Sequence, residues 1–287
     1  MKSRKIFSIV LLIFSTLIWG STFTLVKSIL RFITDFQLLF LRFGFASILS
    51  VFVVIKYRKL LKNPKIFLFL FALGVSLFIA YTFQTAGLKY TTPTKSAFIT
   101  GLYIVFTPVF SAMYLKEKPR NFEIIALVLS FIGLLYLSQI NLRSLGSINF
   151  GDILTLLCAI SFAFQIVLTE KLVKDLPSLL VTSFQMVVSF ILSIPFAFLN
   201  STFNLNTFVF ISTLFLGVVA SFFAIQTESF ALKYIDSTEA SLIFILEPVF
   251  AYLFSFFIFG EKLNVYGIIG SILILTSMFI IAIYNRE

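Results

Sequence analysis

Residues 88–90 read LKY, and the same three letters return at residues 232–234, 144 positions further on. The pair EK at 117–118 likewise returns at 261–262 with the same offset. The chain has 287 residues, so this offset is close to half its length. Matches at one fixed spacing indicate an internal duplication. The sequence therefore predicts two tandem units of similar length.

The predicted units are residues 1–145 and residues 146–287. Each contains five apolar runs of about 20 residues, the length that a helix needs to cross the hydrocarbon core of a bilayer. The ten predicted spans are 6–26, 36–55, 66–88, 95–115, 122–140, 151–169, 177–198, 207–231, 238–259 and 264–284. Because five is odd, the second unit would enter the membrane from the opposite side. We predict an all-α integral membrane protein with ten transmembrane helices in two inverted five-helix repeats.

The composition also indicates a lipid environment. Hydrophobic residues make up 60% of the chain, charged residues 12%, and the mean hydropathy is +1.07, which is too apolar for a surface in water. The net charge is +10, but the basic residues lie mostly in short loops between apolar runs. This placement favours membrane orientation over nucleic-acid binding.

The absence of histidine limits the chemistry that the chain can perform. It removes histidine-based general acid and base catalysis, histidine-containing triads and histidine-ligated metals. The single cysteine, Cys158, cannot form an internal disulfide or a thiolate cluster. We therefore expect no catalytic centre, no metal site and no cofactor.

Basic residues predict the orientation of the chain. With both termini in the cytoplasm, the inside segments hold fifteen Lys and Arg residues and the outside segments hold six. This bias favours cytoplasmic termini in a plasma or inner membrane. The basic and apolar start of residues 1–20 also resembles a signal peptide, but no small-residue cleavage site follows it. We expect these residues to remain as the first span.

Two neighbouring spans carry polar residues on one helical face. Residues three or four positions apart lie on the same face of a helix. Polar residues follow this spacing in two consecutive spans, which contain Cys158, Ser161, Gln165 and Thr169, and Thr182, Gln185, Ser189 and Ser193. Buried polar groups in a membrane face either a polar cavity or a neighbouring helix. Both interpretations stay open: a cavity lining, or hydrogen bonds between helices.

Three ionisable residues lie deep within predicted spans. Glu228 has Gln84 as its counterpart at the repeat offset, Glu247 directly precedes Pro248, and Arg42 lies in the second span. A buried carboxyl group binds a cation, pairs with a base or takes up a proton, because desolvation disfavours its charged form. Glu228 is therefore the candidate for binding a cationic substrate group or for proton coupling. Arg42 and Glu247 also have structural interpretations, as an ion-pair partner and as an acceptor in a broken helix.

Two prolines interrupt apolar spans. Pro108 and Pro248 lack the amide hydrogen that a helix interior uses, so each is expected to kink its span. They are candidate hinges, and static packing kinks are the alternative.

The whole chain resembles the EamA family of the drug/metabolite transporter superfamily. The resemblance rests on the order of several short motifs over two repeats: Trp19-Gly20-Ser21 with Lys27, Arg42, the LKY at 88–90 before a Thr-rich turn, Glu247-Pro248-Val249-Phe250, and Gly260-Glu261-Lys262. It implies ten helices in two inverted EamA-like repeats around a central cavity. It also implies export of small metabolites, often amino acids or related amphipathic solutes, by alternating access.

Combining this resemblance with the polar residues gives a set of candidate substrate-binding positions. They are Trp19, Thr22, Arg42, Tyr81, Gln84, Ser161, Gln165, Gln185, Ser189, Glu228 and Glu247. The expected partners are a small-molecule substrate and the lipid bilayer, without nucleic acid. Few basic residues lie inside the membrane, which disfavours phosphorylated substrates.

The sequence leaves alternatives to transport of a soluble metabolite. A lipid or lipid-linked sugar flippase of the same superfamily would need a laterally open groove, and a non-transporting partner subunit also stays open. An intramembrane enzyme is disfavoured, because its chemistry would need a nucleophile with a base, a metal cluster or an aspartate pair. The four aspartates all lie near span ends.

Overall fold

A computed structural model of the protein describes residues 2–114, 120–138, 150–199, 203–262 and 264–284. These residues form helices and short connections, without strands. The helices are α1 (Lys2–Ile29), α2 (Asp35–Lys56), α3 (Pro64–Leu88), α4 (Pro93–Thr100), α5 (Tyr103–Tyr114), α6 (Asn121–Ser138), α7 (Phe150–Asp175), α8 (Ser178–Ala197), α9 (Thr207–Phe215), α10 (Ala224–Ala231), α11 (Ser237–Phe244), α12 (Leu246–Phe259) and α13 (Val265–Tyr284). A π-helical segment, Leu216–Phe223, joins α9 to α10.

The predicted all-helical membrane fold is confirmed. Within the described ranges, eight helical stretches are long and apolar enough to cross a membrane, and α6 and α13 contain shorter apolar stretches at the two remaining predicted spans. The predicted boundary between residues 145 and 146 and the EK pair at 117–118 lie outside the described residues. So do residue 115 and residues 139–140, the ends of two predicted spans.

The sixth predicted span ends later than the sequence indicated. Residue 169 was its predicted end, but α7 continues to Asp175. Glu170 and Lys174 form an ion pair of 2.7 Å one turn apart, which supports an additional helical turn. Charged residues therefore do not end the helix here.

Two predicted spans are each built from two helices. The first break lies at Gly101, between α4 and α5, and the second at Ile245, between α11 and α12, again 144 positions apart. Pro248 accounts for the second break, because a proline ring clashes with the carbonyl four residues earlier, here that of Phe244. Pro108 lies inside α5, more than a turn after the first break. The breaks are thus equivalent in the two units although the prolines are not.

Helix packing joins the two units over most of their length. α2 packs against α8, α3 against α7, and α6 against α13. In the last pair Ser130 Oγ donates a hydrogen bond of 2.6 Å to Ser277 Oγ, as expected for helix contacts in lipid, where polar groups pair across the interface.

The contact between α2 and the π-helical segment depends on Gly217. A Cβ atom at this position would lie 2.4 Å from the Arg42 carbonyl oxygen and 2.7 Å from Phe45 Cβ. We expect Gly217→Ala to force the helices apart and to lower stability by about 1–3 kcal/mol, measured as thermal unfolding in detergent. Gly44→Ala is the matched control, because its Cβ would first meet the movable Phe190 ring at 3.3 Å. Equal unfolding temperatures for the two variants would contradict the expectation.

Candidate functional site

The helices enclose a cavity at the centre of the bundle, with about 440 Å³ of empty space when its open part is included. Side chains of α1, α3, α5, α7, α10, α11 and α12 form the wall, so both units contribute. The lining residues are Trp19, Thr22, Leu77, Tyr81, Gln84, Tyr103, Phe162, Gln165, Ile166, Ile225, Glu228, Phe244 and Glu247.

The wall contains residues at equivalent positions of the two units. The offset of 144 relates four pairs of lining residues, namely Thr22 and Ile166, Tyr81 and Ile225, Gln84 and Glu228, and Tyr103 and Glu247. The last pair is in direct contact, since the Tyr103 hydroxyl donates to Glu247 Oε2 at 3.2 Å. Positions related by the offset of 144 therefore meet at the cavity, and the second half of the chain supplies both carboxyl groups.

Glu228 is held by a shared donor. Gln165 Nε2 lies 3.2 Å from Glu228 Oε1, 3.1 Å from Gln185 Oε1 and 3.1 Å from Thr169 Oγ1. An amide nitrogen carries only two hydrogens, so these three acceptors compete. Glu228 is 3% exposed. Because its carboxyl group has only a share of this one donor among the described residues, it keeps acceptor capacity for another donor that enters the cavity.

Aromatic rings also form part of the wall. Trp19 packs edge-to-face on Phe244, with ring centroids 5.2 Å apart, and Phe162 packs in the same way on Tyr81 at 5.1 Å. Trp19 Nε1 donates to the Ala220 carbonyl at 2.8 Å, which fixes the indole ring at the cavity edge. The site combines carboxyl groups with apolar ring surfaces, an arrangement suited to an organic cation.

Arg42 lies behind the wall rather than in it. Its Nε donates to Ser221 Oγ at 2.7 Å, and its guanidinium carbon lies 4.0 Å from the centre of the Tyr81 ring. Tyr81 lines the cavity on its other side. The aromatic ring thus separates the guanidinium group from the cavity.

Seven of the eleven candidate positions line the cavity, and Ser161, Gln185 and Ser189, like Arg42, do not. Ser189 Oγ donates to the Gly74 carbonyl on α3 at 3.2 Å, and Ser161 Oγ donates to the Leu157 carbonyl of its own helix at 2.9 Å. Gln185 contacts the cavity only through Gln165. For these three positions, the geometry matches hydrogen bonding within the helix bundle.

Several lining residues were absent from the sequence-based set. Tyr103 could have been found, because it lies one repeat offset before Glu247. Phe162 and Phe244 are two of the forty phenylalanines in the chain. No pattern in the sequence distinguishes these two rings from those that face lipid.

The different positions of Gln165 and Gln185 predict different access to water. In a background with Cys158 replaced, we expect cysteine at Gln165 to react with small aqueous thiol reagents and cysteine at Gln185 to stay unreactive, because Gln165 lines the cavity and Gln185 does not. Mass spectrometry of the labelled protein measures both. Val188, buried on the same helix, is the control position, and labelling of Gln165 no faster than Val188 would contradict the expectation.

Ion pairs lie at opposite ends of the helices around the cavity. Lys95 Nζ contacts Asp152 Oδ2 at 2.7 Å, and Lys5 Nζ contacts Glu239 Oε1 at 3.0 Å. Lys95 and Glu239 are 144 positions apart, so equivalent positions carry opposite charges. Each pair joins the fourth span of one unit to the first span of the other. Because α4 begins three spans after α1, the two pairs lie on opposite sides of the bundle.

A bundle of membrane-spanning helices around a polar cavity is typical of membrane transporters. The EamA-like transporter family matches residues 6–139 and 149–283. The chain therefore belongs to this family, as the sequence motifs indicated.

Relatives of known sequence agree with this assignment. An uncharacterized transporter of Archaeoglobus fulgidus is 34% identical over 93% of this chain and 83% of its own, and the uncharacterized transporter YyaM of Bacillus subtilis is 28% identical over 89% and 87%. The S-adenosylmethionine uptake transporter of Rickettsia conorii is 26% identical over 86% and 83%. One crystal structure shares the fold with a TM-score of 0.77, 17% identity and 97% coverage of both chains.

Proposed function

We propose that this transporter exports small amphipathic metabolites, such as amino acids and related amines, and binds them in the central cavity. The observation that carries the proposal is the wall itself, in which Glu228 and Glu247 accompany the Trp19 and Phe244 rings. A protonated amine interacts favourably with a carboxylate and with an aromatic face. The described lining holds no Lys or Arg that would repel such a group.

Alternating access is the mechanism that the duplication supports. Inverted repeats allow two states in which equivalent helices exchange roles, and the substrate site lies between the repeats. The meeting of Tyr103 with Glu247 and the equivalent breaks at Gly101 and Ile245 fit this scheme. We propose that these breaks, with Pro108 and Pro248 nearby, are the places where the spans bend.

A soluble solute fits the cavity better than a lipid. A flippase would need a groove open towards the acyl chains, whereas the lining side chains are almost fully covered. Trp19, Tyr103, Glu228 and Glu247 are all at most 9% exposed. The enclosure favours a metabolite that enters from water.

Uptake is the second candidate direction. Two relatives, from Rickettsia conorii and Rickettsia prowazekii, are named S-adenosylmethionine uptake transporters. That compound carries a sulfonium and an amine, both cationic groups that the carboxyl groups of this cavity would accept. Transport in both directions therefore belongs in the same experiment.

Reconstitution tests the proposed function directly. Proteoliposomes are loaded with the twenty amino acids, their decarboxylated amines and S-adenosylmethionine, and the loss of each solute is followed by mass spectrometry. We expect protein-dependent loss of at least one amine-bearing solute, and a parallel assay with external solutes measures uptake. Permeability equal to that of protein-free liposomes for every solute, in both directions, would overturn the proposal.

The proposed location is the cell membrane, with both termini in the cytoplasm. The basis is the distribution of fifteen inside and six outside basic residues. We expect reporter fusions at residue 287 to be active only as cytoplasmic reporters, and fusions at residue 145 only as external ones. Termini on opposite sides would contradict both the ten-span count and the inverted repeat.

A further inference from the structure

Arg42 presents an unsatisfied cation in the interior of the bundle. Its side chain is 1% exposed, and Nη1 and Nη2 have no hydrogen-bond partner among the described residues. A guanidinium group away from water ordinarily pairs with a carboxylate. The part of the chain that the structure describes forms no ion pair with Arg42, so its two terminal nitrogens remain available.

Ser221, held by the π-helical backbone, fixes the direction of the Arg42 guanidinium group. Ser221 Oγ donates to the Leu216 carbonyl, five residues earlier in the π-helical segment, at 2.8 Å, and accepts from Arg42 Nε at 2.7 Å. The Nε edge of the guanidinium is therefore occupied and oriented. The opposite edge, with two nitrogens in a planar fork, has the geometry that binds a carboxylate with two parallel hydrogen bonds.

The Tyr81 ring lies against the guanidinium and also lines the cavity. The ring centre is 4.0 Å from Arg42 Cζ, and the stacking gives the buried cation some compensation. Edge-to-face contacts with Phe43 and Phe162, at 5.6 Å and 5.1 Å, hold the ring. The described residues form no side-chain hydrogen bond with Tyr81, so a movement of its ring breaks stacking contacts and no hydrogen bond.

The two carboxyl groups of the cavity already have donors. Glu228 accepts from Gln165, and Glu247 accepts from Tyr103. Neither is bonded to Arg42. The unpaired guanidinium therefore matches an anionic group that arrives from outside the chain.

We infer that Arg42 is an anion-recognition residue of the substrate site, reached from the cavity when Tyr81 moves aside. Its ligand is a carboxylate or another singly charged anionic group on the transported solute. This inference rests on the proposed function and deepens it: Glu228 or Glu247 takes the cationic group, and Arg42 takes the anionic one. A solute with both groups is held at two points.

The test uses three amino acids, lysine, tyrosine and methionine, each compared with its methyl ester and its decarboxylated amine. Proteoliposomes with wild-type protein, Arg42→Gln and Arg42→Lys are assayed for all nine solutes. In each transported series we expect Arg42→Gln to slow the amino acid by at least about tenfold and the ester and amine by less than about threefold, since a hydrogen-bonded charge pair is removed only for the carboxylate. We expect Arg42→Lys, which keeps the charge but not the fork, to give an intermediate loss.

The outcomes separate the inference from the proposed function. Equal losses for acid, ester and amine would assign Arg42 a structural role, as an internal partner of Glu247 for example, and would overturn the inference alone. Wild-type protein that transports none of the nine solutes would overturn the inference, whereas the proposed function falls only if the full set of solutes in the reconstitution assay also fails. If Arg42→Gln fails to insert, the thermal stabilisation of wild-type protein by each ligand is measured instead. Equal stabilisation by an amino acid and by its methyl ester would then overturn the inference.

Discussion

Replacing Glu228 with glutamine is expected to slow the transport of amine-bearing solutes by about ten- to a hundredfold, while the protein stays folded. Glutamine keeps the side-chain length and an oxygen that accepts from Gln165. It removes the charge, and a hydrogen bond to a charged group contributes about 1.5–3 kcal/mol. The same variant is expected to lose any pH dependence that arises from protonation of this carboxyl group. Initial rates in proteoliposomes across a pH series measure both effects.

The repeat offers a matched control for this variant. Gln84 occupies the equivalent position in the first unit and also lines the cavity. The double variant Gln84→Glu with Glu228→Gln moves the carboxyl group from α10 to the position on α3 that lies 144 residues earlier, and it keeps the number of charges. We expect it to recover part of the lost transport. Transport by Glu228→Gln at the wild-type rate, with an unchanged pH profile, would make Glu228 structural and direct the search for coupling to Glu247.

Neutralising one ion pair at a time is expected to open the cavity from one side only. Asp152→Asn removes the partner of Lys95, and Glu239→Gln removes the shared partner of Lys5 and Arg120. For partly buried pairs we expect a three- to tenfold rise, approximately, in labelling of a cysteine at Gln165. With a membrane-impermeant reagent, Asp152→Asn should raise labelling from outside, and Glu239→Gln should raise labelling from the cytoplasmic side.

A charge exchange separates the ion pair from other effects of substitution. The double variant Lys95→Asp with Asp152→Lys keeps both charges and reverses their positions. We expect labelling to return towards the wild-type rate, since the attraction across the two helices is restored. Labelling that rises equally from both sides in each single variant would indicate general loosening of the bundle, and would contradict a role for these pairs as separate closures.

Hydrophobic length and the repeat offset predicted most of the fold. The ten apolar runs correspond to helices because a lipid environment leaves the backbone few alternatives. The break at Gly101 was not predicted, since Pro108 was the visible signal and helix breaks depend on packing as well as on proline. The sequence also does not predict the π-helical segment Leu216–Phe223, because its apolar composition is compatible with either helix type.

Only part of the candidate site could be predicted from the sequence. Helical periodicity placed Gln165 and Ser161 on one face of α7, but a face includes directions that lead to different neighbours. Gln165 reaches the cavity, whereas Ser161 bonds to its own backbone. Similarly, the sequence places Arg42 at membrane depth and leaves open that Tyr81 covers it. Such relations depend on three-dimensional contacts between distant segments.

The π-helical segment lets the length of the chain change without a change in recognition. Each residue of an α-helix turns the chain by about 100°, so a deletion in an ordinary helix rotates everything that follows by roughly that angle. A π-helical stretch uses a wider bond pattern, which accommodates an extra residue. Deleting one residue from 216–223 would let the stretch close into an ordinary helix, and Glu228 would stay close to its present direction. This short stretch is therefore a place where related chains could gain or lose a residue and keep the carboxyl group in the cavity wall.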